Sequence, residues 1–425
     1  MLLDDDSLTR EDVSELLAFS HYDEVELVHT AQDALPRLEH QDATDEDFVP
    51  IRHIGDGASL FWVSNAKRIR ERARTMAVQE DLGEEVVYRG LVFAEASEEM
   101  DADGFVTSRP YLLQVGPDFS GYTPAEAMAL VGLALRVHGN RSIGSDLTDL
   151  SLGGSTFHFI LGRELTYEGW RWFSACVAHS LAIKDDKAIN LGQTALERLQ
   201  RVLQIRDRMH ASAKIPSSET TADEVVFQFE TLLLFLSAAF DATARVAHLV
   251  YLGPDYKEAG WRRSGWHERL TQAEPELASL VADGTEGGTV LRLISRLRNS
   301  IHGEALRPLT TQRGGARPEH PAEFPEGLAA RTIGDIQFLG EDPVDWGLRV
   351  DRTRTYLTAD RFAESLLPHA LLLLNGLMAQ TRVERLSGVK AHELKKPPED
   401  APSARWWDDM FSWEIRGRVR RLGGF

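Results

Sequence analysis

The chain predicts an α+β N-terminal domain followed by an all-α helical bundle. Three observations carry this. Segments of the first half are rich in Val, Ile, Phe and Tyr and bounded by Gly, Pro and Asp, the marks of strands. Beyond residue 224 long apolar segments carry the helical period. Between the halves lies AKIPSSETTADE, polar, proline-containing and without an apolar period, as a linker would be. With 425 residues and 43% hydrophobic content there is material for two or three cores. The expected divisions are an acidic segment over 1–46, a mixed α+β domain over 47–213, a linker over 214–223, a helical domain over 224–390, and a Pro-containing linker with a Trp/Arg-rich tail over 391–425.

The net charge of -19 is concentrated at the start: residues 1–60 hold sixteen acidic against three basic side chains. Such a face repels nucleic acid, so a polyanion would meet the protein elsewhere, and it keeps the chain soluble. Next, FVPIRHIG, SLFWVSNA, EVVYRGLVFAEA and PYLLQVGPDF read as strands. NAKRIRERARTMA reads as a helix with five basic residues in eight positions, and Arg68 and Arg72 share one face as the nucleic-acid-binding candidates of this half. TPAEAMALVGLALRVHG opens with a Thr cap and a Pro and reads as a helix. STFHFILGR reads as a last strand, and two further helices close the domain over 167–183 and 188–211. Arg206 and His210 in the second of these stand four apart and read as surface residues.

The single cysteine, Cys176, excludes an intramolecular disulfide and reads as a small core residue. The opening MLLDDDSLTREDV has neither the basic nor the apolar region of a secretory signal, and the apolar runs near 232–239 and 371–374 are broken by Asp241 and Asn375. The expectation is a cytoplasmic protein without a membrane segment. No phosphate-binding or dinucleotide-binding glycine loop, HExxH or paired CxxC occurs, so no metal or cofactor is expected.

In the C-terminal half, EVVFQFETLLLFLSAAFDATARVAHLVYL is a long helix ended by Gly253-Pro254, apolar around much of its middle. Asp241, Arg245 and His248 make one polar line on it. A buried charge needs a partner, which is either Arg245 for Asp241 or a polar site on a neighbouring helix. Helices follow around Trp261 and Trp266, near 274–282, and over 289–301. The segment RPLTTQRGGARPEHPAEFPEG then reads as a long loop; it carries Arg307, Arg313 and Arg317 as candidate RNA contacts. A last helix covers 360–386, with a kink expected at Pro368. The tail holds Trp406, Trp407 and Trp413 ahead of Arg416, Arg418, Arg420 and Arg421. Docking onto the protein's own surface is its first reading and stacking on single-stranded bases its second.

The chemistry concentrates in RLRNSIHGE. Val290, Leu293, Ile294, Leu297 and Ile301 form one buried helical face, and Gly303 sits where a left-handed cap would. At about 100° per residue Arg298 and His302 share one flank, Arg296 falls on the other, and Asn299 points most nearly away from the core. Histidine exchanges a proton near neutral pH and arginine offers a charged fork for phosphate. Together they suffice to cleave a phosphodiester whose own 2′-hydroxyl is the nucleophile, with no metal required.

An arginine followed by Asn and then a histidine resembles the R-x(4–6)-H motif of HEPN domains, small helical bundles of bacterial toxins and phage-defence ribonucleases. Arg296 to His302 has five intervening residues, within the family's range; Arg298 carries the Asn and leaves three. The resemblance covers about residues 224–386. It implies a HEPN-like bundle acting as a metal-independent endoribonuclease on RNA, with Arg298, His302, Arg296 and Asn299 in the catalytic site and Asp241 and Arg245 supporting it. It further implies a homodimer or higher homo-oligomer, an anti-phage or abortive-infection role, and a first half that senses a phage-derived trigger. The alternative is a non-catalytic HEPN-like binding or oligomerisation module.

Overall fold

The computed structural model describes residues 2–4, 7–17, 28–31, 49–54, 59–63, 66–99, 104–113, 121–140, 142–145, 148–151, 153–215, 217–300, 306–310, 319–351, 354–394 and 419–425. The protein is largely helical with small sheets. Its contacts divide it into two units, the first mainly Met1–Leu135 and the second mainly Arg136–Gln312 with Pro318–Arg420. The division thus falls well before the linker expected over 214–223. That linker shrinks to a short connection between two helices that pack on each other.

In the first unit the elements run β1 (Leu2–Asp4), α1 (Arg10–Leu17), β2 (Val28–Ala31), β3 (Val49–Ile54), β4 (Ser59–Val63), α2 (Ala66–Gln79), α3 (Glu84–Glu99), β5 (Phe105–Val106), α4 (Pro110–Leu113), β6 (Gly121–Tyr122) and α5 (Pro124–Val137). The sheet order is β4-β3-β2-β1-β5-β6; β1 pairs in parallel with β2 and β5, and β5 with β6, while β3 and β4 add antiparallel. The stretch expected as a separate acidic segment therefore supplies a central strand. Asp4 closes that strand and is buried, with Thr107 Oγ1 donating at 2.8 Å and Arg109 Nε at 2.8 Å.

Two predicted strands of this unit are helices. EVVYRGLVFAEA forms α3 and PYLL forms α4. The β-branched and aromatic composition suggested strands, but Val87, Leu91 and Ala94 bury one helical stripe against Ile69, Ala73 and Ala77 of α2. Glu84 and Glu85 suit the positive end of the helix dipole. On α2, Arg70 lies over the Tyr88 ring and Arg74 pairs with Glu84 at 2.9 Å. Arg68 is exposed, and Arg72 is half-buried beside Leu91 and Glu95.

The second unit begins with a hairpin of β7 (Ser142–Ser145) and β8 (Thr148–Ser151). Then come α6 (Gly154–Leu165), α7 (Gly169–Ile183), α8 (Lys187–Ala213), α9 (Glu219–Tyr251), α10 (Ser264–Ala273), α11 (Pro275–Ser279) and α12 (Glu286–Ser300). STFHFILGR, expected as a strand, is the body of α6, with Phe157, Ile160, Leu161 and Glu164 buried at helical spacing. After α12 the chain is not all helix. β9 (Arg307–Pro308), β10 (Pro321–Phe324), β11 (Leu348–Asp351) and β12 (Arg354–Thr358) form an antiparallel sheet of order β11-β12-β10-β9, with α13 (Glu326–Phe338) between β10 and β11. The expected long loop is thus flanked by strands. α14 (Ala359–Gln380) ends the bundle and runs through Pro368 as one helix.

α8 and α9 are a helical hairpin. Ser218 caps α9 by accepting from the Thr221 backbone N–H while the Thr221 hydroxyl accepts from the Ser218 N–H. Phe229, Leu232, Leu233, Leu236 and Phe240 of α9 are buried, as are Phe362, Leu366, Leu367 and Leu374 of α14. By length and composition Glu219–Tyr251 and Ala359–Arg385 could cross a membrane, contrary to the expectation that polar interruptions forbid it. More than half of each apolar window is buried inside the unit, as in the core helices of a bundle. Asn375 is one such interruption: it donates to the Leu165 carbonyl at 2.8 Å and accepts from the Glu168 N–H at 3.3 Å. Cys176 is fully buried, and burial pushes its thiol up to about 12.

Arg206 and His210, expected on the surface, instead belong to a polar network. Glu364 of α14 accepts from Arg206 through both oxygens, at 2.9 and 2.6 Å, and lies 2.8 Å from His210 Nε2. Next to them Asp207 accepts a two-pronged contact from Arg136, both bonds 2.8 Å, and sits 2.8 Å from His158 Nε2. Sequence spacing on an amphipathic helix does not reveal that a facing helix brings a carboxylate. Burial alone would raise the Asp207 pKa, but Arg136 and His158 outweigh it and hold the carboxyl well below its usual range. Asp207→Ala removes the two-pronged contact to the buried Arg136 and the partner of His158, and is expected to cost about 3–5 kcal/mol. Urea denaturation reads this as a lower midpoint at unchanged slope, and a loss under about 1 kcal/mol would refute the structural role.

Candidate active site

The motif helix α12 is anchored at its start. Thr285 accepts from the Gly288 N–H at 3.0 Å as an N-cap. Gly287 and Gly288 pass so close to the Leu280 and Ala282 carbonyls that an added Cβ would lie 2.1 Å from each oxygen. Only glycine permits this approach. From there Val290, Leu293, Ile294 and Leu297 are buried, as their spacing predicts. The far end of the motif, Ile301, His302 and Gly303, lies outside the described residues, as does Arg313.

The two motif arginines have different employment. Arg296 Nη1 reaches Asp335 Oδ2 of α13 at 2.6 Å, and Arg292 binds the other oxygen, with Nε at 2.9 Å. Asp335 is buried, so this fork ties α12 to α13. Arg298 is on the opposite flank and lines a cavity of about 320 Å³. Its Nη1 donates to Asn299 Oδ1 at 3.2 Å, and its Nε is buried with no hydrogen-bond acceptor among the described residues. A buried guanidinium N–H without an acceptor costs free energy that an anionic ligand would recover.

The same cavity is lined by Asp241 from α9, by Asn299, and by Arg262 and Arg263. Thus Asp241, Arg298 and Asn299 are brought together. Arg262 and Arg263 were not singled out from the sequence. Their position follows from two tryptophans that pin the segment after α9: Trp261 Nε1 donates to the Phe240 carbonyl at 2.9 Å, and Trp266 Nε1 to His248 Nδ1 at 2.9 Å. The two indoles meet edge to face at 5.2 Å. The string WRRSGW held this signal, two cations between two anchors. Arg263 pairs with Glu258 at 2.8 Å, and Arg262 is 3.8 Å from Asp283.

The expected polar line on α9 splits three ways. Asp241 is exposed at the cavity, and it forms no ion pair with Arg245, whose Nε is buried without an acceptor. Arg198 of α8 donates to the Ala238 carbonyl at 2.7 Å; burial and then Arg245 lower its pKa, against the pull of Asp241. His248 is buried under Trp266 and takes no part in the cavity. Arg307, on β9, is exposed. Trp406, Trp407 and Trp413 lie outside the described residues, while Arg420 donates to the Glu164 carbonyl at 3.1 Å. Among the described residues no three His, Cys, Asp or Glu side chains group as metal ligands. No protein-family model, curated protein or solved structure matches the chain.

Two outcomes separate the roles of these residues. Arg296→Ala breaks the fork on Asp335 and is expected to lower unfolding free energy by about 2 kcal/mol, whereas Arg298→Ala leaves it within about 0.5 kcal/mol. Equal losses in urea titrations would contradict the division. His248 supplies the second. Burial, with Arg269 adding to it, lowers its pKa, so the folded state favours the neutral ring. Its contribution is complete above the unfolded value of about 6.5 and is lost as pH falls through the lowered folded value. The melting temperature should drop from about pH 7.5 to about pH 5.5, and His248→Asn should flatten that drop; an unaltered drop in the variant would remove His248 as its cause.

Proposed function

We propose that the C-terminal unit is a HEPN-like bundle acting as a metal-independent endoribonuclease, with the first unit as its sensor or regulator. The observation that carries this reading is the cavity shared by Asp241, Arg298 and Asn299, in which Arg298 Nε is enclosed without an acceptor. In this reading His302 takes the proton of the RNA 2′-hydroxyl or gives one to the leaving 5′-oxygen. The 2′-oxygen bonds to phosphorus, the bond to the 5′-oxygen breaks, and the products end in a 2′,3′-cyclic phosphate and a 5′-hydroxyl. Arg298 stabilises the charge of the phosphorane, Asn299 and Arg262 help to hold the phosphate, and Asp241 orients the cationic partners. Arg296 acts at a distance, by fixing α12 on α13.

A homodimer that joins two motifs, a cytoplasmic location, and a role in abortive infection set off by a phage-derived trigger complete the proposal by resemblance. One observation favours a non-catalytic binding module instead. The motif arginine with the family's usual spacing, Arg296, is already bound to Asp335 and faces away from the cavity.

The deciding experiment is cleavage of RNA in excess EDTA. Wild type is expected to yield cyclic-phosphate ends, and His302→Ala and Arg298→Ala are expected to lose activity by about a hundredfold or more. Cleavage unchanged in His302→Ala, or none by wild type, sinks the nuclease reading and leaves the binding module.

A further inference from the structure

A second recess, of about 550 Å³, lies between α8 and α9 and is half open to solvent. Arg201, Gln204 and Arg208 line it from α8, and Phe227, Thr231 and Phe235 from α9. Arg201 and Arg208 are both exposed. Arg208 has no ion pair among the described residues, and Arg201 only lies over the Phe235 ring, 5.5 Å from its centroid. Phe227 stands 58% exposed at the rim. Among the described residues these groups stay exposed, and one carboxylate, that of Glu197, lines the same recess, where it accepts from the Gln193 amide at 2.7 Å.

We propose that this groove binds single-stranded RNA, with phosphates on Arg201 and Arg208 and a base stacked on Phe227. Unpaired cations beside exposed aromatic rings suit a strand whose bases are free to stack. Arg201 and Arg208 are seven residues apart on one face of α8, about 10 Å of rise, which fits two phosphates of one strand rather than one phosphate of a free nucleotide. A half-open groove also admits a polymer that enters and leaves, and uncommitted Gln204 offers both a donor and an acceptor to base edges. Duplex RNA keeps its bases stacked internally and offers Phe227 nothing.

The groove also stands in a definite relation to the candidate active site. Phe227, Leu234 and Asp241 recur every seven residues and are exposed, one stripe along α9. The groove opens beside the early part of that stripe and the Arg298 cavity beside Asp241. A strand held by Arg201 and Arg208 therefore runs along the helix that carries both. That RNA is the polymer rests on the ribonuclease reading above.

The test is fluorescence anisotropy of a labelled single-stranded RNA oligonucleotide with the full chain carrying His302→Ala, so that binding is read without cleavage. Arg201→Ala/Arg208→Ala is expected to weaken binding about tenfold or more and to flatten the slope of log K against log salt by about 1.4, two phosphates at about 0.7 each. Phe227→Ala is expected to weaken it about fivefold or more at unchanged slope. Arg349→Glu, an exposed change on β11, serves as the charge control, and unchanged melting temperatures show that the variants fold. Binding unaffected by the groove variants, duplex RNA bound as well as the single strand, or no binding at all would each overturn the proposal. Intact binding beside absent cleavage in wild type would sink the nuclease reading alone; cleavage with unaffected binding in the groove variants would sink the groove alone.

Discussion

A 33-residue helix that is apolar around most of its circumference has to be enclosed, and α9 imposes that requirement on the whole second unit. From Ala242 to His248 every residue but Arg245 is buried, so this part of the helix has almost no free face. α8 covers one side as the other arm of the hairpin, and α12 and α14 cover others. The segment before α10 is fastened by indole N–H groups that satisfy the Phe240 carbonyl and His248. Past its first turns, the exposed residues of α9 are Phe227, Leu234 and Asp241, one stripe. Both cavities border it, because it is the seam the packing helices leave open.

The polar groups of this unit divide by how far their hydrogen-bonding capacity is met. Asp207 and Asp335 are buried carboxylates, the first bound by Arg136 and His158 and the second by Arg292 and Arg296, and Glu364 binds Arg206 and His210 in the same manner. Such groups lock one helix to another, and removing a partner is costly. Arg245 and Arg298 differ, since each has a buried Nε without an acceptor. Folding tolerates that only where the loss is small beside the hydrophobic gain, or where a ligand supplies the missing oxygen. By this criterion Arg296 is structural and Arg298 is the arginine with unmet bonding capacity, in line with the helix phase that puts Arg298 on the His302 flank, although the family's usual motif spacing points to Arg296.

The motif helix was legible because its apolar period is strong: Val290, Leu293, Ile294 and Leu297 are all buried. The strands over 49–54 and 59–63 and the basic helix over 66–79 were legible for similar reasons. Composition misled where it disagreed with period, in α3 and α6, whose β-branched and aromatic residues fall at helical spacing. The strands β9 to β12 were hidden by brevity and by proline, and a sheet made of distant short pieces leaves no local period to read. At the site, Asp241, Arg298 and Asn299 could be named because each sits on a long helix of known phase. Arg262 and Arg263 could not, since a loop has no phase and their placement depends on two tryptophan hydrogen bonds.

Charge is unevenly distributed along the chain. Residues 1–60 hold sixteen acidic against three basic side chains, most of the net charge of -19, so the remainder of the chain is closer to balance and the places where cations outnumber carboxylates stand out. The cavity lined by Asp241 gathers Arg262, Arg263 and Arg298 around a single exposed carboxylate, and Arg198 of α8 feels both the repulsion of Arg245 and the pull of Asp241. One acid among several cations lowers the cost of assembling them without cancelling their field. Replacing it with a neutral side chain would make the field stronger and the fold less tolerant of it. Asp241 thus offsets part of the mutual repulsion of the arginines that line this cavity.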